Sequence, residues 1–175
     1  MTEPTESQVI ADTGGLVVTD DGRRVLVFDR GTGSLAVTGF VLGIIALVVG
    51  GFGVVALFSL SATFGAAFLA VGVLAGIATI LTLRRFRRRR AQPLHECKPV
   101  AVLDRKLGLF SYAGGAVLAL DQVRFERRFQ LGSSSPKLVA VLPRGTRVLK
   151  RGNPFDGGIG NVDEVLTAAV SRAPR

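Results

Sequence analysis

The feature that most constrains this chain is a stretch of 53 residues, between Arg30 and Arg84, that contains no charged side chain. It consists mainly of Val, Leu, Ala, Phe, Ile and Gly. A bilayer core of roughly 30 Å is crossed by about 20 helical residues at about 1.5 Å each, so the stretch suffices for two crossings. We therefore predict two transmembrane helices, at residues 34–58 and 63–83, with a short, weakly polar connection between them.

The segment that follows the second predicted helix is strongly basic. Six of its first seven residues are arginines: Arg84, Arg85, Arg87, Arg88, Arg89 and Arg90. Arginine next to a membrane segment favours the cytoplasmic side of the membrane. Two crossings then place the N-terminus on the same side, and Arg23, Arg24 and Arg30 agree with that placement. We therefore predict a two-pass protein of the inner (plasma) membrane with both termini in the cytoplasm.

The net charge of +9 comes entirely from the residues after Leu83, because the residues before Arg84 are net negative, and it admits two interpretations. In the first, the arginine run is a topological anchor that binds anionic lipid head groups, to which each arginine contributes about 1 kcal/mol. In the second, the run binds nucleic acid, but neither a groove-reading helix nor a set of interleaved aromatic residues accompanies it. The sequence therefore favours the anchor and predicts no nucleic-acid partner. Binding of the arginine run to an acidic face of a partner protein is compatible with its role as an anchor.

Four further segments are predicted outside the apolar stretch. We expect residues 1–14 to form a flexible tail, residues 15–33 a β-hairpin, residues 84–98 a basic linker, and residues 99–175 a small β domain. An isolated hairpin is only marginally stable in water. Because both soluble segments are predicted on one side of the membrane, we expect the hairpin to dock on the β domain.

The segment from residue 99 is predicted to contain an antiparallel sheet followed by one helix. Turn signals separate six short predicted strands, at residues 100–103, 108–112, 116–120, 122–131, 138–142 and 147–150. Alternation in the fourth segment places one charged residue, Arg127, on the face that also carries Val123, Phe125, Phe129 and Leu131. The helix is expected to begin near Asn161, because an asparagine there caps early backbone N–H groups and the acids that follow suit the helix dipole.

The predicted fold is a transmembrane helical hairpin plus a small antiparallel β domain, of the α+β class, closed by a C-terminal helix. This order resembles that of bacterial membrane proteins with pleckstrin-homology-like domains, over residues 15–172. The chain also resembles the small two-span accessory chains of the actinobacterial respiratory supercomplex of cytochrome bcc and cytochrome oxidase, and its richness in Arg, Ala, Gly and Val agrees with that group. The first resemblance implies a lipid- or peptide-binding domain, and the second implies a subunit of a larger complex.

Two glycine clusters have features of nucleotide-binding turns, but each lacks the rest of such a site. Gly31, Gly33 and Ala36 have the G-x-G-x-x-A spacing, yet no ribose-binding acid follows within the uncharged stretch. We interpret them as a flexible lead-in to the first helix. The cluster DGGIGN, at residues 156–161, precedes a helix but lacks the lysine and serine of a P-loop, which favours an ordinary turn.

His95 and Cys97 are the only histidine and the only cysteine of the chain. A zinc site takes three or four protein ligands, so these two residues would need Glu96 or Asp104 or a second subunit to complete one. A single cysteine also has no disulfide partner. No Ser-His-Asp set or carboxylate pair stands out. The sequence therefore predicts no enzymatic activity, no metal or other cofactor and no small-molecule substrate.

The two predicted helices carry stripes of small residues at helical spacing. They comprise Gly39, Gly43, Ala46 and Gly50 in the first helix, and Gly72 and Gly76 in the second. Small residues let helix backbones approach each other in lipid, so the stripes either pack the two helices together or bind a partner subunit. A channel or transporter is a weaker hypothesis, because the apolar stretch contains no ionisable residue to mark a pathway.

These observations favour a non-catalytic accessory subunit that packs against and stabilises a larger inner-membrane complex. The respiratory supercomplex of cytochrome bcc and cytochrome oxidase is the most specific candidate for that complex, through the resemblance given above. The alternative is a membrane-anchored, pleckstrin-homology-like binding module for lipid or peptide.

Overall fold

The computed structural model describes residues 7–59, 61–115 and 117–171, which form two compact units. One unit combines the residues up to Gly33 with those from Gln92 onward, and the other is Ser34–Ala91. The first unit is a β domain and the second is a pair of long helices. The chain therefore begins the β domain, leaves it to form the helices, and returns to complete it.

The helical unit consists of α1 (Gly33–Ser59) and α2 (Ala62–Arg90), both long and apolar enough to cross a membrane. The predicted spans 34–58 and 63–83 lie within these helices. The side-chain oxygen of Ser61 accepts a hydrogen bond from the backbone N–H of Phe64, at 3.2 Å, and so caps α2. The helix continues through the arginine run to Arg90 because arginine favours helix and its charge stabilises a helix C-terminus.

The larger sheet of the β domain is antiparallel, and its strands are neighbours in chain order. Its strands are β1 (Gln8–Thr13), β2 (Leu16–Asp20), β3 (Arg24–Asp29), β4 (Pro99–Asp104), β5 (Leu109–Tyr112) and β6 (Val117–Ala119). The predicted hairpin forms β2 and β3, and β3 pairs with β4 from Arg24↔Asp104 to Phe28↔Pro99. The strands that precede and follow the helices are thus joined in one sheet.

The expectation of a flexible tail over residues 1–14 is wrong for residues 8–13, which form β1, while residues 1–6 of this tail lie outside the described residues. This strand pairs with β2 from Gln8↔Asp20 to Thr13↔Leu16, with a bulge between Val9 and Ala11. Ala11 is partly buried against the core, whereas Val9 is half exposed. The segment therefore has no clear apolar alternation, and backbone hydrogen bonds to β2 hold it in place.

The smaller sheet contains β7 (Arg124–Arg128), β8 (Lys137–Leu142) and β9 (Gly145–Lys150), and α3 (Val162–Ser171) follows it. The core includes side chains from both sheets and from α3, with the rings of Phe110 and Phe125 in edge-on contact at 5.9 Å. The predicted strand 116–120 is shorter in the structure, where β6 gives way to a 3₁₀ turn at Leu120–Gln122. Ala116 lies outside the described residues.

The predicted strand 122–131 ends early, at Arg128. Val123 and Phe125 are buried as the alternation indicates, but Phe129 is 76% and Leu131 is 95% exposed. The pairing with β8 ends at Arg128, and in the loop that follows the side-chain amide of Gln130 donates hydrogen bonds to the backbone carbonyls of Ser135 and Gly152. The apolar character of Phe129 and Leu131 therefore does not serve the core.

Candidate functional site

The small-residue stripes of the two helices face each other within this chain. A Cβ added to Gly39 would lie 3.6 Å from the Cγ2 atom of Thr82, and one added to Gly43 would lie 3.9 Å from the Cγ2 atom of Thr79. A Cβ on Gly76 would lie 4.0 Å from that of Ala46. Of the two interpretations of the stripes, the structure therefore shows the packing of the two helices on each other.

The helices approach most closely at three glycines, Gly53, Gly65 and Gly72. A Cβ on Gly72 would collide with the Cα atom of Gly50, and Cβ atoms on the other two would collide with backbone atoms of the opposite helix. Gly53 and Gly65 are not among the packing residues predicted from the sequence. The available signal was spacing, since Gly53 continues the stripe of the first helix with a mean period of 3.5, as in left-handed helix pairs.

The six arginines from Arg84 to Arg90 are all exposed on the last turns of α2. The guanidinium carbon of Arg90 lies 5.2 Å from the centroid of the Phe86 ring, at cation–π distance. Their charges are concentrated at a helix C-terminus, where positive charge is stabilising. This arrangement suits an exposed anchor.

The β domain contains a buried charged cluster that was not predicted from the sequence. The side chain of Lys150 is 4% exposed, and its Nζ lies 2.7 Å from Oδ1 of Asp29 and 3.7 Å from Oδ2 of Asp156. A bulge between Leu138 and Val139 in the pairing of β8 with β9 leaves Leu149 and Lys150 buried in succession. That bulge breaks the alternation from which an inward-facing lysine could have been recognised.

The charged cluster holds the segment that leads into α1. Asp29 ends β3 and also accepts a hydrogen bond from the backbone N–H of Gly31, at 2.9 Å. Thr32 is fully buried, and the side-chain amide of Asn153 donates to the carbonyl of Gly33 at 2.8 Å. The expectation of a flexible lead-in at these glycines is therefore wrong, because hydrogen bonds and burial fix each residue up to the start of the helix.

The second glycine cluster forms a turn, as its sequence indicates. The backbone N–H of Gly158 donates to the carbonyl of Asn153 at 3.0 Å, and Gly157 and Gly158 have positive φ angles of 100° and 70°. The turn directs the side chain of Asp156 into the charged cluster, and Asp156 is only 3% exposed. Its carboxylate therefore serves the interior of the domain.

An open groove of about 570 Å³ lies between the two sheets. Its apolar lining includes Phe110, Tyr112, Leu118 and Leu142. It is bordered by β6 and β9, which are each the last strand of their sheet. The hydroxyl of Tyr112 donates to the carbonyl of Val148 at 3.0 Å and so joins the two sheets across this region.

Two exposed arginines, Arg144 and Arg147, line the same groove. Neither forms an ion pair with the residues that the structure describes, in contrast to Arg24, Arg105 and Arg127. Positive charge beside an apolar groove can bind an anionic group while apolar parts of the ligand fill the floor. This site is not predictable from the sequence, because the turn PRGTR gives no motif that distinguishes a ligand-binding arginine from a solvated one.

A network of ion pairs lies where β2 and β4 of the larger sheet end, at Asp20 and Asp104. The Nη atoms of Arg105 bond both carboxylate oxygens of Asp20, at 3.1 and 2.8 Å, and its Nε donates to the carbonyl of Ala169 in α3 at 3.2 Å. Burial alone would raise the pKa of Asp104. The backbone N–H of Leu107, the side chain of Arg24 and nearby positive charge outweigh burial and lower that pKa.

Arg127, the charged residue on the inward face of β7, is paired with the first turn of α3. Its Nη2 lies 2.6 Å from Oδ1 of Asp163, and its Nε donates to the same oxygen at 2.7 Å. This hydrogen bond and the carboxylate charges of Asp163 and Glu164 raise the pKa of Arg127 despite a smaller, opposing effect of burial. The arginine thus fastens the C-terminal helix to the smaller sheet.

His95 lies within a short 3₁₀ turn at Leu94–Glu96, in the linker between α2 and β4, and Cys97 directly follows this turn. His95 is exposed, and the Sγ atom of Cys97 lies 3.8 Å from the carbonyl oxygen of Pro93. Among residues 7–59, 61–115 and 117–171, no three or more His, Cys, Asp or Glu side chains are grouped to hold a metal ion. Within that part of the chain, the structure does not bring these two residues together with further ligands.

No protein-family model matches this chain, and no curated protein or solved structure is significantly similar to it.

Proposed function

We propose that this protein is a membrane-anchored, non-catalytic binding protein of the inner membrane. In this proposal α1 and α2 cross the bilayer as a hairpin, and the β domain lies in the cytoplasm. The 27 residues of α1 correspond to a helix of about 40 Å, which matches a bilayer with its head-group regions. The arginines at the end of α2 support the cytoplasmic side for the β domain.

The observation that carries the binding function is the groove that contains Arg144 and Arg147. We propose that it binds an extended acidic segment of a partner protein. Both sheet edges beside the groove offer backbone groups for an added strand, and the two arginines complement an acidic sequence. Two antiparallel sheets closed by a C-terminal helix also support the resemblance to pleckstrin-homology-like binding domains.

Photo-crosslinking from inside the groove tests this proposal in cells. Benzoylphenylalanine replaces Thr146, which lines the groove and is exposed. We expect one defined peptide adduct after illumination, and we expect the double substitution Arg144→Gln and Arg147→Gln to reduce it at least tenfold. The matched control is Arg124→Gln on β7, an exposed arginine outside the groove, which should leave the adduct unchanged.

Two outcomes would contradict a peptide-binding groove. One is an adduct that is equally strong in the Arg144→Gln, Arg147→Gln variant, because charge complementarity would then have no role. The other is an adduct of phospholipid in place of peptide, which would assign the groove to a lipid head group.

A second candidate function is the accessory subunit of a larger membrane complex, such as the respiratory supercomplex of cytochrome bcc and cytochrome oxidase. The small-residue stripes are used within the hairpin, so a partner would have to bind its outer faces. These faces expose large apolar side chains, among them Leu47 at 76%, Phe58 at 88% and Leu74 at 67%. Purification through a tag in a mild detergent should then recover a stoichiometric membrane partner, and recovery of this chain alone would contradict the subunit function.

A further inference from the structure

Two large apolar side chains of the β domain are exposed on one short loop. Phe129 is 76% exposed and Leu131 is 95% exposed, and Phe155 on a neighbouring loop is 46% exposed. Single exposed apolar residues are common on proteins, but two that are this strongly exposed and lie two positions apart on one loop, Phe129 and Leu131, indicate an interaction surface. We call the loops at residues 129–136 and 151–158 the apolar loops.

The apolar loops lie at the end of the β domain from which α1 departs. The side chain of Gln130 donates to the carbonyl of Gly152 at 2.6 Å, which joins the two loops to each other. The next residue, Asn153, donates to the carbonyl of Gly33, the first residue of α1. Two hydrogen-bonded steps therefore connect Leu131 with the point at which the apolar helix begins.

The loop that carries Phe129 and Leu131 is held in a fixed conformation. Gln130 also donates to the carbonyl of Ser135 at 2.9 Å, which closes the loop on itself. A Cβ added to Gly152 would collide with the carbonyl oxygen of Pro136, so the two apolar loops are in close backbone contact. The domain thus holds Phe129 and Leu131 in an exposed position by specific hydrogen bonds.

We infer that the apolar loops insert into the interfacial region of the same bilayer that α1 crosses. This inference rests on the proposed membrane insertion of the hairpin. A helix of about 40 Å that spans a bilayer has its first residue at the level of the head groups, so loops bonded to Gly33 meet the membrane surface. Transfer of phenylalanine and leucine side chains from water to that region is favourable in free energy.

The charges around the apolar loops complement an anionic lipid surface. Arg151 is exposed beside Gly152, and Lys137 begins β8 directly after the first loop. Basic residues near an anionic leaflet are attracted to it within about one Debye length. The acidic residue of the second loop, Asp156, is buried in the charged cluster and does not oppose this attraction.

The test uses the absence of tryptophan from this chain. Single tryptophans replace Leu131 or Phe129 in the full-length protein, which is reconstituted into phosphatidylcholine–phosphatidylglycerol vesicles with brominated acyl chains in both leaflets. The matched control is Leu107→Trp. Leu107 is 58% exposed and lies shortly after Asp104, the last residue of β4. The six residues of β4 place Asp104 about 17 Å from Pro99, which pairs with Phe28 near the start of α1.

We expect bromolipid to quench Leu131→Trp and Phe129→Trp at least twofold more strongly than Leu107→Trp. Aqueous iodide should show the reverse order. The inference is overturned if Leu131→Trp and Phe129→Trp are as accessible to iodide as Leu107→Trp and escape bromolipid quenching. It is also overturned if they are shielded from both quenchers, because protein would then cover the loops.

A fourth variant separates this inference from the proposed function. Leu47 lies in the middle of α1 and is 76% exposed, so Leu47→Trp should be quenched strongly by bromolipid if the hairpin is inserted. Quenching of Leu47→Trp without quenching of Leu131→Trp would overturn the inference and leave the membrane anchor intact. Loss of quenching in both variants would overturn the anchor itself.

Discussion

At Lys150, a charged side chain is buried in the interior of the β domain. Its ammonium group is almost fully removed from solvent, and two carboxylates, of Asp29 and Asp156, compensate for the lost hydration. A buried charge without its partner is costly, whereas the complete cluster need not add stability over apolar packing. The stability of the β domain therefore depends on the presence of all three charged side chains together.

We predict that Lys150→Ala destabilises the β domain by about 3–5 kcal/mol, because it leaves buried carboxylate charge uncompensated. The measurement is urea unfolding of the full-length protein in mild detergent, with the circular dichroism signal of the sheets as the probe of unfolding. The control is Lys106→Ala, an exposed lysine in the turn after β4, which should change the free energy of unfolding by less than about 0.5 kcal/mol. Equal effects of the two substitutions would contradict the role of the cluster.

Asp104 makes the stability of the β domain depend on acid pH. Its pKa is lower in the folded state than in the unfolded state, where it is about 3.9. Its contribution is therefore present above pH 4 and is lost as the pH falls through the lower, folded-state pKa. We predict that Asp104→Asn lowers the melting temperature at pH 7 and that the difference from the unmodified protein narrows below pH 4.

The matched control for Asp104 is Asp121→Asn, which alters an exposed carboxylate in the 3₁₀ turn after β6. Its melting temperature should follow that of the unmodified protein from pH 7 to pH 3. A constant difference between Asp104→Asn and the unmodified protein over this range would show that the effect is not linked to protonation.

At the scale of single elements, the helical hairpin depends on backbone contact at glycines. A Cβ on Gly72 would collide with Gly50, so Gly72→Ala should force the helices apart. Gly51 provides the control, because a Cβ added there meets no atom within 4 Å. The two substitutions make the same chemical change and differ only in the surface on which it occurs.

The rate at which an engineered disulfide forms between the helices reports whether the helices have moved apart. A Cβ on Gly76 lies 4.0 Å from that of Ala46, a separation suited to a disulfide, so Ala46→Cys with Gly76→Cys should oxidise readily in a Cys97→Ser background. Adding Gly72→Ala should slow disulfide formation several-fold, and adding Gly51→Ala should not. Equal rates in both variants would contradict glycine-mediated packing of the hairpin.

The elements differ in how much of them the sequence predicts. The two helices follow from the uncharged stretch, and β2, β3, β8 and α3 follow from apolar periodicity, because burial of one face imposes that pattern. β1 was missed because backbone hydrogen bonds at a sheet edge leave little trace in the choice of side chains. β7 was predicted too long because Phe129 and Leu131 continue its alternation beyond the last paired residue, for a reason unrelated to the core.

The candidate sites were less predictable than the elements. The groove with Arg144 and Arg147 and the cluster around Lys150 combine residues from strands and turns that are distant in the sequence. Such combinations require the pairing of the strands and the packing of the two sheets, neither of which is a local property. The glycine stripes were visible in the sequence, but their partner was not, because a stripe has the same spacing whether it packs within the chain or against another chain.

At the scale of the whole molecule, the main feature is that the β domain combines segments from before and after the helical hairpin. β3 and β4 are adjacent in one sheet, although the two helices separate them in the chain. If the helices form a transmembrane hairpin, both segments must lie on the same side of the membrane. The pairing of β3 with β4 thus makes a topological requirement that is independent of the arginine run.

Labelling of single cysteines by a membrane-impermeant maleimide tests this account most directly. The sites are the native Cys97 and, in a Cys97→Ser background, Gln8→Cys in β1 and Ala62→Cys at the start of α2. In spheroplasts we predict labelling at position 62 alone, with positions 8 and 97 labelled only after permeabilisation. Labelling of positions 8 and 97 from opposite sides of the membrane would contradict the account, because β3 and β4 could not then share a sheet.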